Sequence, residues 1–212
     1  EDVRGAWAGL RPLPAADRAR AASSRSRDHV IVQGSGGMIT VAGGKLTTYR
    51  LMAREVVDRA VRELRLREGR PRLGDALTEE EPLPGGETDD FGPFRERGLE
   101  LGVLPESVDH LVRHYGTESA GIYNLGGRDR RLLRRLLPPH PAIEAEVLHA
   151  VRRELAQTVE DVLVRRTHLY YEHSERGIPA ARRVAELMAR EYAWDEARIE
   201  METRRYEEFA RQ

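Results

Sequence analysis

Lys45 is the only lysine among 35 lysine and arginine residues. It stands in Met38-Ile39-Thr40-Val41-Ala42-Gly43-Gly44-Lys45-Leu46-Thr47-Thr48-Tyr49-Arg50. A chain so biased toward arginine has use for a flexible ammonium at a point where a rigid guanidinium fork would not fit. Chance placement of one residual lysine is the competing reading. The preceding glycines favour chemistry, because they let backbone approach a ligand with no Cβ in the way. That chemistry is anion binding. A strand feeding a glycine turn feeding a helix aims free N–H groups and the positive end of a helix dipole at one point. Thr47 or Thr48 is placed to cap the helix. Arg11, held extended by Pro12, and Arg27 lie in separate segments yet could converge on one anion. A dianionic phosphate asks for several charged donors. Read alone, each is equally a surface arginine.

Other reactive residue types are less telling. The seven histidines form no catalytic set. His110 and His114 have the i, i+4 spacing of half a metal site, but no third ligand is evident, so a solvated helix face is expected. His168 and His173 flank Tyr170-Tyr171 and read as packing or surface. Arg165-Arg166 is expected to pair with Glu160 or Asp161. The basic run from Arg128 to Arg135 reads as a solvated face, with anionic lipid or a partner as the alternative.

The elements around the turn follow from periodicity. Met38 to Ala42 is apolar and β-branched, as is His29 to Gln33, and Gly34-Ser35-Gly36-Gly37 between them suits a hairpin loop. From about Thr47 to Leu66 apolar residues recur at helical spacing. Ala15 to Arg25 reads as a polar connector. Pro71, Pro82, Pro84, Gly85, Gly86 and the acidic Glu79-Glu80-Glu81 mark a linker over 71–90. Beyond it the spacing predicts only helices: Phe94 to Leu101, Pro105 to Tyr115, Glu118 to Leu125, Arg128 to Leu137, Ile143 to Gln157, Val159 to Thr167, Pro179 to Tyr192 and Asp195 to Arg211. Thr158-Val159-Glu160-Asp161 has the form of a capping box. The expected fold is an α/β (α+β) portion over 1–70, then an all-α helical domain over 91–212.

Composition narrows the function. A net charge of -1 argues against nucleic-acid binding in spite of the many arginines. The absence of cysteine excludes disulfides, thiol catalysis and Cys-ligated zinc within this chain.

Gly43-Gly44-Lys45-Leu46-Thr47-Thr48-Tyr49-Arg50 resembles the GGKLTTYR signature of FAD-dependent glycerol-3-phosphate dehydrogenases. Trp7-Ala8-Gly9-Leu10-Arg11-Pro12-Leu13 is similar to that family's G-(L/V)-R-P-L segment, and Ser26-Arg27-Asp28-His29 to its S-R-D-(Y/H) segment. The order and spacing match. Leu83-Pro84-Gly85-Gly86 in the linker resembles a segment of the family at the same place, and the stretch from Glu144 to Leu169 resembles its helical domain. The resemblance implies the following. The chain is the C-terminal part of an enzyme whose flavin-binding fingerprint lies in an N-terminal half. Lys45 lies beside flavin and substrate as the catalytic cation. Gly43, Gly44, Leu46 and Thr47 contact FAD through backbone. Arg11 and Arg27 bind glycerol 3-phosphate, with Arg11 at its phosphate or carbon end. Electrons leave to a quinone, or to oxygen if the relative is the glycerol-3-phosphate oxidase. The protein would be cytoplasmic and peripheral to the inner face of the membrane. A homodimer stays open, as does a helical domain that serves only for docking.

Overall fold

The computed structural model describes residues 8–9, 29–68 and 74–212. The chain divides into two compact units, Ala8–Pro82 and Leu83–Gln212. Among the described residues it is mostly helical, with one two-stranded sheet.

In the first unit, β1 (His29–Gln33) pairs antiparallel with β2 (Ile39–Gly43), in register from His29 opposite Gly43 to Gln33 opposite Ile39. The loop is closed by Gly34 N–H donating to the Met38 carbonyl at 2.9 Å. After a 3-10 turn over Leu46–Thr48, α1 runs from Tyr49–Glu68. The alternation of the strand sends His29, Ile31 and Gln33 to the α1 side. There, His29 meets Glu55 at 2.7 Å, and the Arg59 guanidinium donates twice to Gln33 Oε1, from Nε at 3.2 Å and Nη2 at 2.6 Å. The opposite face carries Val30 and Val32, which stay exposed. No described residue of this unit is buried.

The second unit has its own core. Its helices are α2 (Gly92–Glu100), α3 (Pro105–Tyr115), α4 (Ser119–Arg128), α5 (Glu144–Glu154), α6 (Val159–Arg165), α7 (Leu169–Glu172), α8 (Ala181–Tyr192) and α9 (Glu196–Arg211). α5 is central: every residue from Glu144 to Val151 is buried. α8 turns Ala181, Val184, Ala185, Leu187 and Met188 inward, the spacing of one helix face. α9 lays Ile199, Tyr206 and Ala210 into the same core. Thr158 and Asp161 form the expected capping box: Asp161 N–H donates to Thr158 Oγ1 at 3.1 Å, and Thr158 N–H to Asp161 Oδ2 at 3.0 Å.

The Leu-Pro-Gly-Gly segment is held by close backbone contact and by one carboxylate. Gly116 has φ +53°, and a Cβ there would overlap the Gly85 carbonyl, its carbon being 2.6 Å away. Thr117 N–H donates to that same carbonyl at 3.0 Å, and Glu87 accepts from Gly85 N–H at 3.0 Å and from the Thr117 hydroxyl. Only glycine combines the positive φ with this close approach.

Two expectations fail. Arg128 to Leu137 is not a helix. A 3-10 turn covers Arg130–Leu133, and the chain then extends, with Arg135 bridged to Ile143 and Leu136 N–H donating to Ala142 at 2.8 Å. Asp129 Oδ1 starts the turn by accepting from Arg131 N–H at 3.1 Å, and Pro138 pushes Leu137 out of the helical region. Three arginines of this run are occupied: Arg130 by the Leu101 carbonyl, Arg131 by Asp129 and Arg135 by Glu106. Neither threonine caps α1. The Thr48 hydroxyl donates to the Lys45 carbonyl at 3.0 Å, so it satisfies an acceptor and no helix N–H.

Candidate active site

The glycine turn leaves the sheet at Gly43 and enters α1 through the 3-10 turn. Gly43 and Gly44 both take positive φ, +79° and +93°. A Cβ on Gly44 would collide with the Met52 thioether, whose Cε would be 2.6 Å away, and crowd His29 Cβ at 3.3 Å. Met52 therefore packs against bare backbone, and the turn is held between β1 and α1. Lys45 is extended, with φ −121° and ψ 147°, and its carbonyl accepts from Thr48 N–H at 3.0 Å. Lys45, Leu46 and Thr47 are exposed; Leu46 is 89% so. The first turn of α1 contains no acidic residue, so nothing on the helix itself offsets the positive end of its dipole. Arg50 and Arg54 both reach Glu79, at 3.1 and 2.8 Å, and Tyr49 is half exposed. Arg11 and Arg27 lie outside the described residues.

The structure gathers a second set of polar groups, in the helical unit, that sequence reasoning missed. Glu146, on α5, is fully buried. Its Oε1 accepts from Ile143 N–H at 2.7 Å. Its Oε2 accepts from the Tyr115 hydroxyl at 3.0 Å and meets His110 Nε2 at 2.8 Å. A carboxylate only accepts, so His110 donates. His110 is thus buried, not on a solvated face. Its ring lies tilted against His114 and meets His140 edge-on, with ring centroids 4.3 and 5.9 Å away. His168 lies 5.9 Å from His114, and His149 meets Tyr115 edge-on at 5.2 Å. Five of the seven histidines thus form one network. Among the described residues, no group of three or more His, Cys, Asp or Glu could hold a metal ion. Arg165 pairs with Glu160 at 2.5 Å and Asp161 at 3.2 Å, whereas Arg166 turns to Glu154.

This network gives the helical unit a pH dependence. Burial holds the His140 and His149 imidazoles below the ordinary histidine range, against the opposing pull of Glu172 on His140. The fold favours the neutral rings. Because the folded pKa lies below the unfolded one, that stability is complete above about pH 6.5 and declines as pH falls through it. Lowered carboxyl groups such as Asp161 and Glu191 lose their contribution only below about pH 4. The urea midpoint should therefore be lower at about pH 5.5 than at about pH 7.5 with an unchanged slope. An equal midpoint at both would contradict this.

Fold and turn define a helical domain joined to a hairpin-and-helix unit that carries a glycine-lysine turn. Residues 76–199 match the family model of the C-terminal domain of alpha-glycerophosphate oxidase, and the chain belongs to that family. It is 31% identical, over 98% of its length, to the mitochondrial glycerol-3-phosphate dehydrogenase of Arabidopsis thaliana, of which it covers 34%. It is 32% identical, over 97%, to glycerol-3-phosphate dehydrogenase 2 of Mycobacterium tuberculosis, again covering 34%. To the mitochondrial glycerol-3-phosphate dehydrogenase of Mus musculus it is 36% identical over 95%, covering 27%. The chain thus spans about a third or less of the curated relatives it matches. Its fold matches the X-ray structure of the glycerol-3-phosphate dehydrogenase from Bacillus halodurans complexed with FAD, with a TM-score of 0.69 and 23% identity, over 85% of this chain and 36% of that one.

Proposed function

We propose that the chain is the C-terminal part of an FAD-dependent glycerol-3-phosphate dehydrogenase. The observation that carries this is the turn from Gly43 to Arg50, which keeps the family's signature in a chain whose relatives bear that enzyme's name over 95–98% of its length. The turn suits a flavin. Gly43 and Gly44 bring bare backbone to its surface, Leu46 and Thr47 follow exposed, and no acidic residue opens α1. The uncovered valines of the hairpin fit a larger flavin domain that packs on them.

FAD, when bound, supplies the acceptor for the hydride leaving C2 of glycerol 3-phosphate, so that dihydroxyacetone phosphate is formed. Lys45 brings a positive charge to where negative charge develops on substrate and flavin. Gly43, Gly44, Leu46 and Thr47 hold the ring through backbone. Arg27 pairs with the substrate phosphate; Arg11, fixed by Pro12, binds the phosphate or orients the carbon end. We assign a membrane quinone as electron acceptor, at a cytoplasmic site peripheral to the membrane. The family model takes its description from an oxidase, which favours oxygen as a second reading; anaerobic turnover with a soluble quinone separates the two.

The phosphate assignment is tested with two substrates in the longer enzyme. A charge-assisted guanidinium contact contributes about 1.5–3 kcal/mol. Arg27→Ala should therefore raise KM for glycerol 3-phosphate roughly tenfold to a hundredfold. The poor activity with glycerol, which never makes the contact, should barely move. Equal losses with both substrates would remove Arg27 from phosphate recognition.

A further inference from the structure

A cleft in the helical unit, built from none of the residues of the glycine turn, has the features of a ligand site. It lies where the end of α3, the start of α4 and the last turns of α5 meet. It comprises cavities of about 410 and 430 Å³ that share Glu118, His149, Arg152 and Arg153. The second is also lined by Ala120, Gly121 and Leu125, which give it an apolar wall.

His149 is the telling residue. It is only 5% exposed and lines both cavities. Its ring is wedged edge-on against Tyr115 at 5.2 Å, and among the described residues it has no hydrogen-bond partner. With no protein partner, its ring nitrogens are open to a ligand that enters the cleft. The two arginines are not equivalent. Arg152 is engaged twice by Glu191, at 2.8 and 2.7 Å. Among the described residues Arg153 has only Glu118, 4.0 Å away, and its side chain is 68% exposed.

We propose that this cleft binds a small monocarboxylate with an aliphatic body. His149 donates to one carboxylate oxygen, Arg153 pairs with the other, and the hydrocarbon lies along Ala120, Gly121 and Leu125. The charge count selects a monoanion. One guanidinium, only loosely paired with Glu118, and one neutral donor match a single negative charge, while Glu118 and Glu154 line the same cleft and oppose a second. Arg166 stands 3.2 Å from the Glu154 carboxylate and offsets part of that field. Burial holds His149 below the ordinary histidine range, so at neutral pH it offers a donor and no charge.

The experiment is a titration of the 212-residue chain with hexanoate, acetate and inorganic phosphate. Binding is read by calorimetry, and the site by the ring signals of His149 in ¹⁵N-histidine-labelled protein. Hexanoate should shift the His149 signals saturably. It should bind more tightly than acetate by about fourfold for each methylene that becomes buried. Phosphate should produce no saturable shift. Arg153→Gln, at an exposed position where folding is not at stake, should weaken hexanoate at least about tenfold. His149→Phe, which keeps the ring contact with Tyr115, should weaken it as well. Failure of hexanoate to saturate, phosphate binding as tight as hexanoate, or full affinity in Arg153→Gln would each overturn the proposal.

Discussion

Glu146→Ala is expected to lower the stability of the helical unit by about 3–5 kcal/mol, the range for breaking a buried charged network. Glu146 is fully buried, and its two oxygens accept from three donors on three segments: Ile143 N–H, the Tyr115 hydroxyl and His110 Nε2. Truncation strands all three where water does not reach, at about 1–3 kcal/mol for each donor left without a partner. The consequences spread because the donors have structural duties. Ile143 N–H opens α5, the helix most completely buried. Tyr115 closes α3 beside Gly116, where the Gly85 segment is held. Burial and the nearby Glu146 carboxylate raise the Tyr115 phenol well above its ordinary range, so it is the protonated hydroxyl that donates. Glu146→Gln keeps the shape and one acceptor, and its cost should be clearly smaller. Urea midpoints of the two variants decide the matter. A loss below about 1 kcal/mol for the alanine variant, small against a buried network, would mean the network does not hold the unit together.

Much of this arrangement was legible in the sequence, and the failures have physical causes. The hairpin was readable because two β-branched runs flank a glycine loop, and α3 because Pro105 starts it and Gly116 stops it. The same rules misread Arg128 to Leu137. Leucines at helical spacing are there, and Leu132 and Leu136 are indeed buried, but Asp129 and Pro138 impose turn and extension at the two ends. Local backbone restrictions prevailed over periodicity. His110 was misread because the i, i+4 pair with His114 says nothing of what faces it. Its partner Glu146 comes from α5, 36 residues away. A weak signal did exist: Glu146 sits three residues after the N-cap Ile143, the capping-box position for a glutamate. Ile143 has no side-chain oxygen to complete the box, so the pattern did not register. His149 offered no local signal at all, because what marks it is its place on a cleft that only the fold assembles.

The second large effect concerns the glycine turn. Lys45 is exposed at a point where Gly43 and Gly44 take positive φ and β2 hands over to α1. If it steadies charge that exists only as hydride leaves, its removal must act on turnover more than on substrate binding. Loss of one such donor costs roughly 3 kcal/mol, about a hundredfold in rate. The fold should be indifferent, since an exposed side chain at the mouth of a turn contributes little to packing. The measurement that tests the account most directly is therefore the anaerobic single-turnover rate of flavin reduction by glycerol 3-phosphate. It compares the longer enzyme with its Lys45→Ala variant, each loaded with FAD. The account predicts bleaching about a hundredfold slower in the variant, with substrate affinity nearly unchanged. Flavin reduced at the same rate with and without Lys45 would contradict it.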